Sequence, residues 1–250
     1  MTGAIRLQDV TIAYDRHPAV HHLSGIFAAG SMTAIVGPNG AGKSTLIRAL
    51  IGELPVSTGA INREGLSSTE IAYLPQAAEI DRRFPLTVGD IVLLGAWRQA
   101  GAFRSVSMAS AREARQALAI VGLAGFEGQT IGSLSAGQFQ RVLFARLVLQ
   151  NAKVILLDEP FTAIDARTTR DLLDLMCNWN REGRTVIAVL HDFEQVRAHF
   201  PQTLLLAREA IAWGPTTTTM VSSNLHRAQL MAEQWDEDAQ ACRAQDRSAA

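Results

Sequence analysis

Gly37-Pro38-Asn39-Gly40-Ala41-Gly42-Lys43-Ser44-Thr45 is the stretch that decides the fold. It matches the pattern G-x-x-x-x-G-K-[ST], in which backbone N–H groups curl around phosphate oxygens. Glycine permits that curl because no Cβ blocks the inward-turning amides. An apolar strand, Met32 to Val36, precedes the loop, and Lys43 to Leu50 reads as a helix whose positive end points at the same anion. The expected ligand is ATP. Lys43 is placed to reach the β- and γ-phosphates, and Ser44 to ligate Mg²⁺.

Working outward, strands are expected at Ile5 to Val10, Ser24 to Phe27, Ile71 to Leu74, Val154 to Leu157, Thr185 to Leu190, and near 203–206 and 209–213. Helices are expected at Ala109 to Val121, Ala136 to Gln150, 166–181 and Phe193 to His199. Strands that alternate with helices imply a mostly parallel α/β sheet, with a helical block at about 80–150 inserted into it. Val154-Ile155-Leu156-Leu157-Asp158-Glu159 then places two carboxylates at the carboxyl end of a buried strand, the edge where open α/β sheets bind ligands. Asp158 suits a Mg²⁺ site, and Glu159 suits the orientation or deprotonation of an attacking water.

The third motif is Leu134-Ser135-Ala136-Gly137-Gln138-Phe139-Gln140-Arg141, with Gly137 21 residues ahead of Asp158 (158 − 137). It resembles the signature motif of ABC-type ATPases. Tyr14 is similar to that family's adenine-stacking aromatic. Gln76, in Tyr73-Leu74-Pro75-Gln76, is similar to its lid glutamine. Asp165, in Ala163-Ile164-Asp165, resembles the loop after the acidic strand, and His191 the switch histidine. The resemblance spans about residues 4–220. It implies an α/β P-loop NTPase fold of ABC type, with an N-terminal antiparallel β subdomain and the helical insertion.

The resemblance further implies catalytic roles for Glu159, His191 and Gln76, with Mg²⁺ held by Ser44, Gln76 and Asp158. It also implies that Ser135, Ala136, Gly137 and Gln138 serve the nucleotide of a second copy, so that two chains sandwich two ATP molecules head to tail. The family usually has Gly where this chain has Ala136. The expected boundaries are an ATPase domain over 1–222 and a helical, partly disordered acidic tail over 223–250.

ABC ATPases of this size usually work beneath separate membrane permeases. Phe84-Pro85-Leu86-Thr87-Val88 after Gln76, together with Gly137 to Arg146, is similar to the manganese, zinc and iron-chelate branch. The expectation is therefore an ATP hydrolase that powers metal import, zinc ahead of manganese, through integral membrane permease subunits. A periplasmic or extracellular metal-binding protein would act indirectly. The alternatives are an iron-siderophore, haem or cobalamin importer, and a soluble ABC ATPase acting on DNA or ribosomes. The second lacks support from a tandem cassette or a sustained heptad run.

Composition agrees. The 250 residues are 48% hydrophobic and 19% charged, with net charge −1, so no basic field for nucleic acid is present. No Asp, Glu, Lys or Arg occurs from His17 to Gly42, a length that would suit a membrane span. Three histidines, two prolines and five glycines interrupt it. It reads as two buried strands and a loop, which, with no signal peptide evident, points to a cytoplasmic chain on the inner face of the membrane. His17, His21 and His22 read as a polar loop between strands rather than as a metal site. Cys177 and Cys242 fit no metal or redox spacing and read as reduced thiols.

Overall fold

The computed structural model describes residues 3–14, 17–76, 80–97 and 107–233. They form two compact units, one comprising mainly 5–27, 32–63 and the chain from 189 on, the other mainly 64–188.

In the first unit, β1 (Ile5–Tyr14), β2 (His17–Phe27) and β4 (Thr58–Asn62) form an antiparallel sheet in the order β2-β1-β4. Ile5 pairs with Phe27, and Arg6 with both Ile26 and Asn62. Alternation puts Ile5, Leu7, Val10 and Ile12 inside. The register slips between Leu7 and Val10, where Asp9 is left-handed at φ 50° and its N–H donates to Ser24 Oγ at 2.9 Å. Residues 17–22 are strand, not the expected polar loop, because β1 supplies their ladder partners as far as Tyr14 opposite His17. The short exposed β4 carries too little apolar pattern to be read from sequence.

In the same unit β3 (Met32–Val36) runs parallel to β8 (Gln202–Ala207), and β9 (Glu209–Pro215) is antiparallel to β8. All five β3 residues are buried, as an all-apolar parallel strand requires. Helix α1 (Lys43–Ile51) follows the glycine loop. Its C-terminal carbonyls are held by Arg63, whose Nε donates to Leu50 O at 2.8 Å and Nη2 to Ala49 O at 2.9 Å. Helices α6 (Phe193–His199) and α7 (Thr216–Thr219) flank β8 and β9, and the chain is helical again over 222–233.

In the second unit β5 (Ile71–Leu74) runs parallel to β6 (Val154–Asp158), with β7 (Thr185–Val189) beside β6. Between β5 and β6 the chain inserts α2 (Val88–Leu93), α3 (Met108–Ile120) and α4 (Ala136–Gln150), which pack on one another. Helix α4 is buried on most of its circumference. Helix α5 (Ala166–Arg181) buries one face, and its Trp179 stacks on Phe144 of α4 at 5.7 Å. No helix among the described residues is long and apolar enough to cross a membrane.

Candidate nucleotide-binding site

The glycine loop lies in the first unit. At Gly42 (φ 89°) a Cβ would stand 2.1 Å from Ala19 O, and at Gly37 a Cβ would stand 1.9 Å from Leu206 O. Only glycine lets the chain pass at these two points. The β8–β9 turn fastens the loop from outside: Arg208 N donates to Ala41 O at 3.0 Å. Helix α1 begins at Gly42 with no side-chain cap, a helix N-terminus of the kind that suits an anion. Lys43 is buried, and its ammonium donates to Gly37 O and Pro38 O at 2.9 and 2.8 Å, bracing the loop from within. Pro38, Asn39, Gly40 and Ala41 line a small cavity with Arg208 and Ala232, while Ser44 and Thr45 sit half-buried on the first turn of α1.

Tyr14 closes β1, and its side chain lies outside the described residues. His191 is exposed just after β7. It immediately precedes Asp192, whose Oδ1 caps α6 by accepting from Glu194 N at 2.9 Å and Gln195 N at 3.2 Å.

The acidic strand end, the glutamine and the signature segment lie in the second unit. Asp158 ends β6 and is 1% exposed. Glu159 follows in a left-handed backbone (φ 49°), an uncommon conformation for a non-glycine residue and one that clusters at functional sites. Thr162 pins it, with its N–H on Glu159 O and its hydroxyl on Glu159 Oε2 at 3.3 Å. Gln76 emerges two residues past β5, whose end is tied to α4 by Arg146 Nη2 donating to Tyr73 O at 2.7 Å. Burial lowers the Arg146 guanidinium pKa from its usual value.

Ser135 and Gln138 form a reciprocal capping box on α4. Ser135 Oγ accepts from Gln138 N at 3.1 Å, and Ser135 N donates to Gln138 Oε1 at 2.9 Å. Ser135 and Ala136 are exposed while Gly137 is buried, where a Cβ would come within 3.2 Å of Asp165 Oδ2. Asp165 caps α5 through Thr168 N and Thr168 Oγ1, and these bonds hold its carboxyl below the usual carboxylate range. Gln76, Glu159 and Ala136 thus meet around one cavity of about 560 Å³, which Arg82, Phe139 and Thr162 also line. Sequence reasoning singled out neither Thr162 nor Arg82. Thr162 belongs to no motif, and Arg82 sits in a charged run that resembles ordinary surface.

His21 and His22 of β2 face carboxylates: His21 Nδ1 is 3.1 Å from Glu209 Oε1, and His22 Nδ1 is 2.6 Å from Asp9 Oδ1. No group of three or more metal-ligating side chains occurs among the described residues. Cys177 is a free thiol, and Cys242 lies outside the described residues.

Comparison with known proteins agrees with this geometry. The ABC transporter family profile matches residues 20–162. The manganese transport system ATP-binding protein MntB of Listeria monocytogenes is 37% identical over 90% of this chain and 95% of its own. The zinc transport system ATP-binding protein TroB of Treponema pallidum is 35% identical over 90% of this chain and 86% of its own. Among solved structures, a metal-chelate type ABC transporter in an inward-facing conformation superposes with a TM-score of 0.80 at 30% identity, covering 89% of this chain and 87% of that one. The profile match over more than half of the residues, and relatives 37% identical across nearly their whole length, establish that the chain belongs to the ABC transporter family, as an ATP-hydrolysing cassette.

Proposed function

We propose that this chain powers the import of a divalent metal ion, manganese or zinc, by hydrolysing ATP beneath separate permease subunits in the cell membrane. The metal reading rests on the relatives, whose names carry manganese and zinc. The hydrolytic reading rests on Glu159, a carboxylate held in a strained backbone at the end of a buried acidic strand.

In this reading the N–H groups of Gly37 through Thr45 receive the phosphates, and Lys43 exchanges its two carbonyl partners for β- and γ-phosphate oxygens. Tyr14 stacks on the adenine. Ser44, Gln76 and Asp158 offer a hydroxyl, an amide oxygen and a carboxylate, an all-oxygen set that fits Mg²⁺. The ion would neutralise phosphate charge. Glu159 accepts a proton from the attacking water, and His191 donates to the γ-phosphate.

Ser135 is suited to a second copy's nucleotide. Its oxygen already accepts from Gln138 N, so its own O–H is free to turn outward to a phosphate. Ala136 through Gln138 add helix-terminal N–H groups, and Asp165 braces Gly137. The chain would then work as a head-to-tail dimer on the cytoplasmic face, with 80–97 toward the permease and an extracytoplasmic metal-binding protein delivering cargo.

Glu159→Gln should retain ATP and sediment as a dimer, whereas full turnover in that variant would remove Glu159 from the mechanism. A strain lacking the gene should fail under manganese or zinc chelation and recover when the metal is returned. Normal growth there, with failure on iron chelates, would overturn the cargo.

A further inference from the structure

The segment after Gln76 is laced to the segment before Ser135. Leu86 O accepts from Ile131 N at 3.0 Å, Val88 N donates to Gln129 O at 2.8 Å, and Gly89 N donates to Glu127 O at 2.9 Å, with a bridge between Thr87 and Thr130. Among the described residues, these backbone bonds reach no further along the chain than Ile131. Arg82 reaches past it. Its Nη2 donates to Leu134 O and to Ile131 O, the latter at 3.3 Å, and its Cζ lies 4.9 Å from the centre of the Phe139 ring. Its own carbonyl is so close to the facing backbone that a Cβ on Gly132 would stand 3.2 Å away.

We infer that Arg82 is a positioning residue for the signature loop: its guanidinium, bridging Ile131 O and Leu134 O and seated on Phe139, fixes Ser135–Gly137 to the segment that follows Gln76. The inference rests on the reading above that Ser135–Gly137 serve a second copy's nucleotide. The carbonyls in question flank Ser135 on its N-terminal side. Leu134 is buried, so its carbonyl needs a protein partner. Phe139 occupies the first turns of α4 and is 2% exposed, so the guanidinium rests on a fixed platform. An arginine suits the position because one planar fork reaches two acceptors while its face stacks on a ring. A lysine offers a single point charge. By contrast, the neighbouring Arg83 is exposed and bonded to Asp81 alone among the contacts described for it, at 3.0 and 3.1 Å, and has no hold on the loop.

The test uses the full chain in a Glu159→Gln background, with and without Arg82→Met, which keeps an apolar stem over Phe139. Two quantities are read: binding of a fluorescent ATP analogue to dilute subunit, and ATP-dependent dimerisation by sedimentation. The inference expects nucleotide binding within about twofold and dimer affinity weaker by about tenfold or more, the loss of one charge-assisted bond or its equivalent. In the otherwise unaltered chain, Arg82→Met should lower kcat by a similar factor at nearly constant KM, and Arg83→Met should lower neither. Dimer affinity within about twofold of the Glu159→Gln chain would overturn the inference. Should Arg82→Met lose its melting transition, Arg82→Lys is read by the same criteria with an intermediate loss expected. Failure of Glu159→Gln alone to dimerise with ATP would instead refute the shared-site reading, and the inference with it.

Discussion

Gly42 and Gly40 are both left-handed residues of one loop, at φ 89° and 75°, but they differ in what surrounds them. A Cβ on Gly40 meets nothing within 4 Å, whereas one on Gly42 stands 2.1 Å from Ala19 O and 2.9 Å from Val20 Cγ2. Alanine at either position costs about 1–2 kcal/mol for the left-handed backbone. At Gly42 the carbonyl must retreat by about 0.9 Å to reach the 3.0 Å below which real contacts essentially never fall. Backbone cannot yield as a side chain tip does, and overpacking of this kind costs about 1–3 kcal/mol more. Gly42→Ala should therefore lose about 3 kcal/mol and Gly40→Ala about 1–2 kcal/mol. At roughly 2–4 °C per kcal/mol for a chain this long, melting should fall by about 6–12 °C and about 2–8 °C respectively. Urea denaturation of both variants measures the difference, and binding of a fluorescent ATP analogue should be lost in Gly42→Ala first. Equal losses in the two variants would refute the argument, because only the approach of residues 19 and 20 separates them.

Two further predictions concern stability. Arg63→Ala removes two donors from the last carbonyls of α1 and should cost about 1–3 kcal/mol while leaving nucleotide affinity intact, since the bonds lie at the end of α1 away from the loop. An unchanged denaturation midpoint would contradict this. The Lys153 ammonium on the Glu70 carboxylate, helped by the Ser67 N–H and hydroxyl, pulls the Glu70 pKa from 4.5 to about 2. A depressed folded pKa means the contribution is complete above the unfolded value and disappears as pH falls from about 4.5 towards 2. The gap in melting temperature between the parent and Glu70→Gln should accordingly be widest near neutrality and close towards pH 2, and a gap independent of pH would dismiss the pair as a contributor.

The parts of the fold legible in sequence were those with strong periodicity or chemistry. Helix 136–150 and helix 166–181 have the expected bounds, because a serine and an aspartate cap them and apolar residues repeat along them. Strand β6 announced itself as an unbroken apolar run ending in acid. Residues 17–22 misled because histidines and a proline look like loop, yet they carry the ladder of β1 and direct two imidazoles at Glu209 and Asp9. Those carboxylates come from another strand and a bulge, and no local pattern encodes them. Within the site, the motif residues were visible because phosphate chemistry restricts their type and spacing. Thr162 and Arg82 were not, since each acts on a backbone or side-chain group that only folding brings near.

The reciprocal pair at the start of α4 has a thermodynamic consequence. Ser135 and Gln138 are three residues apart, so their mutual bonds form as soon as the helix does and need nothing from the rest of the molecule. The serine rotamer is thus frozen in the solitary subunit, and the side-chain entropy of ordering it is spent during folding rather than during association. A side chain turned to its own helix cap can therefore set association strength: Gln138→Leu would leave the backbone N–H groups of Ala136 through Gln138 in place, yet return that entropic cost to the moment when two chains meet.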